Sequence, residues 1–157
     1  MFDTRWLALP APSWVAEFRT LRASTPHSHL QCRTFLAEED KVTEAVYHAI
    51  KTGYRHIDCA SIYGNETAVG AGIARAVKEG IVQRSDLWVT SKLWIGDTAP
   101  ANVAPALQRT LDDLGLEYLD LYLIHWPFFL KDGTREVPPP KEDIEGYNPD
   151  TFAATWA

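Results

Sequence analysis

From residue 38 onward the apolar positions of this chain follow two alternating periods. Val42, Ala45, Val46, Ala49 and Ile50 recur at i, i+3, i+4, i+7 and i+8, the spacing of one buried helix face. Glu38, Glu39 and Asp40 put negative charge at the electropositive start of that helix, and Gly53 stands where a left-handed cap ends it. A second predicted helix runs over 66–78, burying Val69, Ile73, Ala76 and Val77, and stops at Gly80. A third runs over 101–114 with Val103, Leu107, Leu111 and Leu114 on one side, and Gly115 caps it. Pro105 is compatible with this helix only in its first turn. Between the helices lie shorter runs with strand character, at 55–60, 87–92 and 118–125. Residues 127–148 then read as one long loop containing Pro138-Pro139-Pro140, and Asn148-Pro149-Asp150 opens a fourth helix.

Strict alternation of helix and strand argues for a parallel sheet in an α/β fold. In a parallel β/α barrel, catalytic groups come from the C-terminal ends of several strands. Asp58, Lys92 and His125 close the three predicted strands, and Tyr63 follows Asp58 in the next loop. Such a set can protonate a carbonyl oxygen. A phenol ordinarily titrates near ~10, too high for a good acid at neutral pH, and a neighbouring ammonium favours its ionised form. Lys92 would supply that ammonium to Tyr63, Asp58 would hold Lys92 in place, and His125 would orient the substrate oxygen. Taken singly, each residue has a plainer explanation: a lysine paired for packing, a half-buried tyrosine, a turn histidine. His48 and His56 are expected to pack or hydrogen-bond.

The surrounding residues make the pattern specific. Gly53-Tyr54-Arg55-His56-Ile57-Asp58-Cys59-Ala60, then Tyr63-Gly64-Asn65-Glu66 and Val69-Gly70, resembles the aldo-keto reductase signature. Thr90-Ser91-Lys92-Leu93-Trp94 and Leu123-Ile124-His125-Trp126-Pro127 are similar to that family's next two active-site segments, in the same order. The resemblance covers roughly 34–157. It implies a (β/α)8 barrel of which this chain holds about the first half, strands 1–4. It implies NADPH-dependent reduction of aldehydes or ketones to alcohols, of the aldehyde-reductase type. Tyr63, Lys92, Asp58 and His125 would be the catalytic residues, with His125, Trp126 and Trp94 lining the substrate site and Asp58 also facing the cofactor. Phe128 and Phe129 would extend the aromatic wall, which suits apolar aldehydes and flat carbonyls. The family's other cofactor contacts come from its last four strands. A second reading is a truncated isoform or a non-catalytic regulatory or binding subunit of the same fold.

Length sharpens the picture. At 157 residues the chain falls short of the roughly 250 that a complete barrel needs. It is therefore expected to be the N-terminal part of one, with open edges prone to self-association. Residues 1–33 break the pattern. They hold Arg5, Arg19, Arg22 and Arg33 against Asp3 and Glu17, with one short amphipathic stretch at 14–21. They read as a divergent segment, mispredicted or disordered, with organelle targeting the weaker alternative. The family's glycine-containing first strand is replaced by Ser28 to Phe35. A net charge of −6 disfavours nucleic-acid partners. No apolar run reaches the ~18 residues of a membrane span. Cys32 and Cys59 have neither disulfide-framework nor metal-ligand spacing, so no metal is expected and a reducing cytoplasm fits. Cys59 is expected to pack as a small hydrophobe. The expected partner is a small-molecule carbonyl substrate.

Overall fold

The structure, a computed structural model, describes residues 31–33 and 39–156, with side chains from Lys41 to Trp156. The amphipathic stretch at 14–21 and most of the divergent segment lie outside the described residues; of it, Gln31–Arg33 is described, as strand β1. The elements then alternate: α1 (Glu39–Lys51), β2 (His56–Asp58), α2 (Glu66–Lys78), β3 (Trp88–Leu93), α3 (Pro100–Leu114) and β4 (Leu121–Ile124). The four strands form one sheet in the order β1-β2-β3-β4, every pair parallel. This is half of an eight-stranded β/α barrel, as the alternation predicts.

The helices end as their glycines foretell. Gly53 and Gly115 adopt φ of +106° and +62°, a backbone region that strains any residue with a Cβ. Beyond Gly53, the Tyr54 amide reaches back to the Ala49 carbonyl at 2.9 Å and closes the last turn of α1. Between sheet and helices lies one core, built from Val42, Val46 and Ile50 of α1, Val69 and Ile73 of α2, Ile57 and Val89 of the strands, and Leu111 and Leu114 of α3.

Several boundaries and faces differ from the sequence reading. β2 and β4 are shorter than predicted because their ladders are paired only at His56–Asp58 and Leu121–Ile124. Asp58 ends β2 as expected, whereas Cys59 and His125 fall just past their strands. On α1, Tyr47 takes the buried position and Ala45 is exposed. The reason is tertiary, since the Arg75 guanidinium of α2 lies 3.8 Å from the centre of the Tyr47 ring. Val77, expected inside, is 38% exposed. Pro105 sits within α3, beyond its first turn. Its missing N–H leaves the Ala101 carbonyl without its helical donor, and Ala101 is on the solvent side where water can serve. The loop after β4 is partly ordered as an antiparallel pair, β5 (Phe129–Leu130) with β6 (Ile144–Gly146). The fourth helix, α4 (Pro149–Thr155), starts where predicted, with the Asn148 side chain accepting from the amides of Asp150 at 2.9 Å and Thr151 at 3.2 Å.

Helix α2 fits between its neighbours through small residues. A Cβ on Gly70 would stand 2.2 Å from the Leu114 carbonyl oxygen, and one on Gly72 would stand 2.8 Å from the Thr43 carbonyl oxygen. Backbone cannot swing aside as a side chain would. Gly70→Ala is expected to lower the unfolding free energy by about 1–3 kcal/mol. A urea midpoint that falls at constant m-value would show it, and an unchanged midpoint would contradict the close approach.

Candidate active site

Parallel register puts the candidate residues on one face. Asp58 pairs with Thr90, so Lys92, two residues further along β3, points the same way. Lys92 pairs with Leu123, and His125, two residues beyond, follows onto that face as well. The His125 amide continues the ladder by donating to the Leu93 carbonyl at 3.0 Å. Tyr63 arrives separately, at the end of a single 3-10 turn over Ser61–Tyr63 that Gly64 closes with φ +67°. The four residues therefore converge from β2, the following turn, β3 and β4.

Their geometry is that of a coupled group. Lys92 Nζ donates to Asp58 Oδ1 at 2.6 Å and to the Cys59 carbonyl at 2.9 Å. The same ammonium lies 5.6 Å from the centre of the Tyr63 ring. The Tyr63 and His125 rings meet edge to face with centroids 5.6 Å apart. Burial, reinforced by the Lys92 charge and only partly offset by Asp58, lowers the His125 pKa to about 4. The imidazole is therefore neutral at pH 7. Its Nδ1 is buried and has no hydrogen-bond partner.

An aromatic wall surrounds His125. Trp126 stacks on it with centroids 6.0 Å apart and planes 4° from parallel, and is itself 51% exposed. Trp94 meets it edge-on at 5.7 Å but is only 4% exposed. The Trp94 indole N–H is already committed to the Thr134 carbonyl, at 2.7 Å. Phe128 packs on Trp126 at 6.1 Å, whereas Phe129 turns inward and is buried against Phe152 of α4. Phe129 thus does not join the wall as the sequence reading expected. His56 hydrogen-bonds as expected, with Nε2 2.9 Å from Thr90 Oγ1, whereas His48 is exposed and only approaches Glu44, at 3.7 Å.

Sequence reasoning missed what supports this group. The loop carrying β5 and β6 is tied down by main-chain bonds: Leu130 N–H to the Ile95 carbonyl at 3.2 Å and Gly133 N–H to the Gly96 carbonyl at 2.7 Å. A Cβ on Gly96 would stand 2.2 Å from the Thr134 carbonyl oxygen. Buried Asp97 adds ion pairs to Arg135 of the loop and, at 3.4 Å, to Arg109 of α3. Glu66, quoted in the motif without a role, is buried and accepts from Ser91 Oγ at 2.6 Å and Thr110 Oγ1 at 3.1 Å. Burial raises its pKa, and it pushes up the thiol of Cys59 too, whose packed position matches expectation. A cavity of about 450 Å³ among Asp97, Arg109, Thr110 and Arg135 lies apart from the four residues, none of which lines it. Among the described residues no cluster of His, Cys, Asp or Glu could hold a metal ion, and no helix is long and apolar enough to cross a membrane.

The half barrel gathers a phenol, an ammonium–carboxylate pair and a neutral imidazole at its strand ends, on a β/α scaffold. The sequence profile of the aldo/keto reductase family matches residues 34–155, and the chain belongs to that family. It is 46% identical over 124 residues to aldo-keto reductase family 1 member A1 of Mus musculus, covering 78% of this chain and 38% of the relative. It is 54% identical over 92 residues to the NAD(P)H-dependent D-xylose reductase of Scheffersomyces stipitis, covering 59% of this chain and 29% of that one. Among solved structures it resembles a Bombyx mori aldo-keto reductase in complex with NADP, with TM-score 0.67 and 42% identity over 81% of this chain and 40% of that one. The chain thus spans less than two fifths of the curated relatives it matches.

The His125 ring offers a direct check. An unfolded histidine titrates near ~6.5, so between that pH and about 4 the unfolded chain takes up a proton that the folded one refuses. Stability is expected to fall as pH drops through this window, and to fall less steeply in His125→Gln. NMR titration of the imidazole should give a midpoint near 4. A midpoint at the ordinary histidine value would mean that the ring is not desolvated.

Proposed function

We propose that the protein carrying this chain reduces aldehydes or ketones to alcohols with NADPH, and that Tyr63 is the proton donor. The observation that carries the reading is the approach of Lys92 Nζ to both Asp58 and the Tyr63 ring, beside a neutral His125. NADPH, when bound, supplies the hydride that the carbonyl carbon receives. The residues present fit such a partner. The buried, unpartnered Nδ1 of His125 marks a side of the site closed to water, as hydride chemistry needs. Asp58 is the residue this chain offers toward the cofactor.

The protein groups then divide the work. His125, uncharged and stacked against Trp126, presents a ring N–H to the carbonyl oxygen and fixes its approach without competing for the proton. Tyr63 gives its phenolic proton to that oxygen as negative charge builds there. Lys92 stabilises the phenolate left behind, and Asp58 keeps the ammonium in position. Trp126 and Phe128 supply an apolar wall suited to an aromatic or otherwise flat carbonyl compound. A reducing cytoplasm is the setting we infer from the buried free thiol of Cys59.

Two outcomes are expected. In the natural full chain, Tyr63→Phe should lower kcat for an apolar aldehyde by about 10²–10⁴-fold while leaving the melting temperature within normal error. NADPH absorbance follows the reaction, and undiminished turnover would remove Tyr63 from the role. Separately, β4 has only β3 beside it among the described residues, and Leu123 on it is 41% exposed. This span produced alone is expected to self-associate through that edge. Sedimentation showing a monomer at all concentrations would contradict it.

A further inference from the structure

Tyr63 is reached from both sides by bonds that land on one short piece of β3. Two residues before it, Ser61 Oγ donates to the Lys92 carbonyl at 3.3 Å. Three residues after it, Glu66 accepts from Ser91 Oγ at 2.6 Å. Ser91 and Lys92 are neighbours on a strand, so their side chains leave opposite faces. Lys92 enters the site while Ser91, fully buried, enters the layer between sheet and helices. Glu66 opens α2, and its second oxygen accepts from Thr110 of α3 at 3.1 Å. One buried carboxyl group thereby joins the start of α2, the middle of β3 and the middle of α3.

A buried carboxyl group is expensive to desolvate, and its site must return hydrogen bonds to make it tolerable. An apolar residue would fill the same space more cheaply if packing were the only need. The two hydroxyls trained on Glu66 fix its position in a way that an apolar side chain could not. The 61–66 segment is a short turn with Gly64 in a left-handed conformation, and the bonds of Ser61 and Glu66 anchor it to β3 on either side of Tyr63.

We propose that Glu66, with Ser61 and Ser91, is a positioning device that fixes the spacing between the Tyr63 ring and the Lys92 ammonium. It rests on the reading of Tyr63 as proton donor, and extends the machinery to a group that touches neither substrate nor cofactor. It acts from the far face of β3, through the backbone that Ser91 and Lys92 share. A misplacement of the acid affects the chemical step and leaves substrate binding nearly untouched.

The test compares Glu66→Gln with Glu66→Leu in the natural full chain. Glutamine keeps an acceptor for Ser91 and a donor for Thr110; leucine keeps the volume and loses both. Glu66→Leu is expected to lower kcat roughly 10–100-fold with KM within about twofold, and Glu66→Gln to recover most of the loss. Should Glu66→Leu not fold, Ser91→Ala removes a single hydroxyl and is expected to give the same split. A second readout does not depend on turnover: the NMR cross-relaxation between the Tyr63 ring and the Lys92 side chain, present in the parent, weakens with leucine and persists with glutamine. If the parent lacks reductase activity, the reductase reading falls while this signal still decides the clamp. Unchanged kcat and cross-relaxation in folded Glu66→Leu or Ser91→Ala would overturn the proposal, as would a glutamine variant as impaired as the leucine one.

Discussion

Lys92 carries a positive charge into a place that is mostly shielded from water, and such a charge must be paired and hydrogen-bonded to be stable there. Asp58 meets the first need and the Cys59 carbonyl the second. Both come from the end of β2, where the Cys59 N–H still bonds to Thr90 while its carbonyl turns to Lys92. The parallel register between β2 and β3 is thus the condition for holding the ammonium at all. Once held, the charge acts on its surroundings. It faces the Tyr63 ring, and together with burial it keeps His125 neutral.

β3 separates two kinds of work by its pleat. Its inward side chains, Thr90 and Lys92, take part in polar contacts among the strand ends: Thr90 with His56, Lys92 with Asp58. Its outward ones, Val89, Ser91 and Leu93, meet the helices, two of them as ordinary core. Ser91 is the exception, a hydroxyl among apolar neighbours, answered by Glu66. The period of two that marks a strand in a sequence also says which positions may bear chemistry and which must be matched from behind.

Much of this was legible before any coordinates. Alternating periods gave the α/β order, and the motif residues Asp58, Tyr63, Lys92 and His125 lie together as their strand-end positions implied. The misread positions share a cause. Tyr47 is buried by Arg75 of another helix, and Val77 is left exposed at the outer side of α2, neither of which a period within one helix can reveal. β5 and β6 pair across an intervening stretch of more than ten residues, far longer than the two-residue hairpin an Asp-Gly pair such as Asp132-Gly133 would announce. Asp97 finds Arg135, and Trp94 finds Thr134, at similar or greater distance along the chain. Local pattern carries local structure; contacts closed by the loop after β4 depend on where that loop lies.

That loop is held by main-chain bonds as well as by side chains such as Arg135, paired with Asp97, and buried Phe129. The Trp94 indole, the Ile95 and Gly96 carbonyls and the missing side chain of Gly96 all address backbone atoms of residues 130–134. The main-chain part of that hold does not depend on the identity of the loop's own side chains. Loop residues that take no part in those side-chain contacts are the ones that can change without rerouting the segment. The scaffold separates the grammar of the loop from its vocabulary.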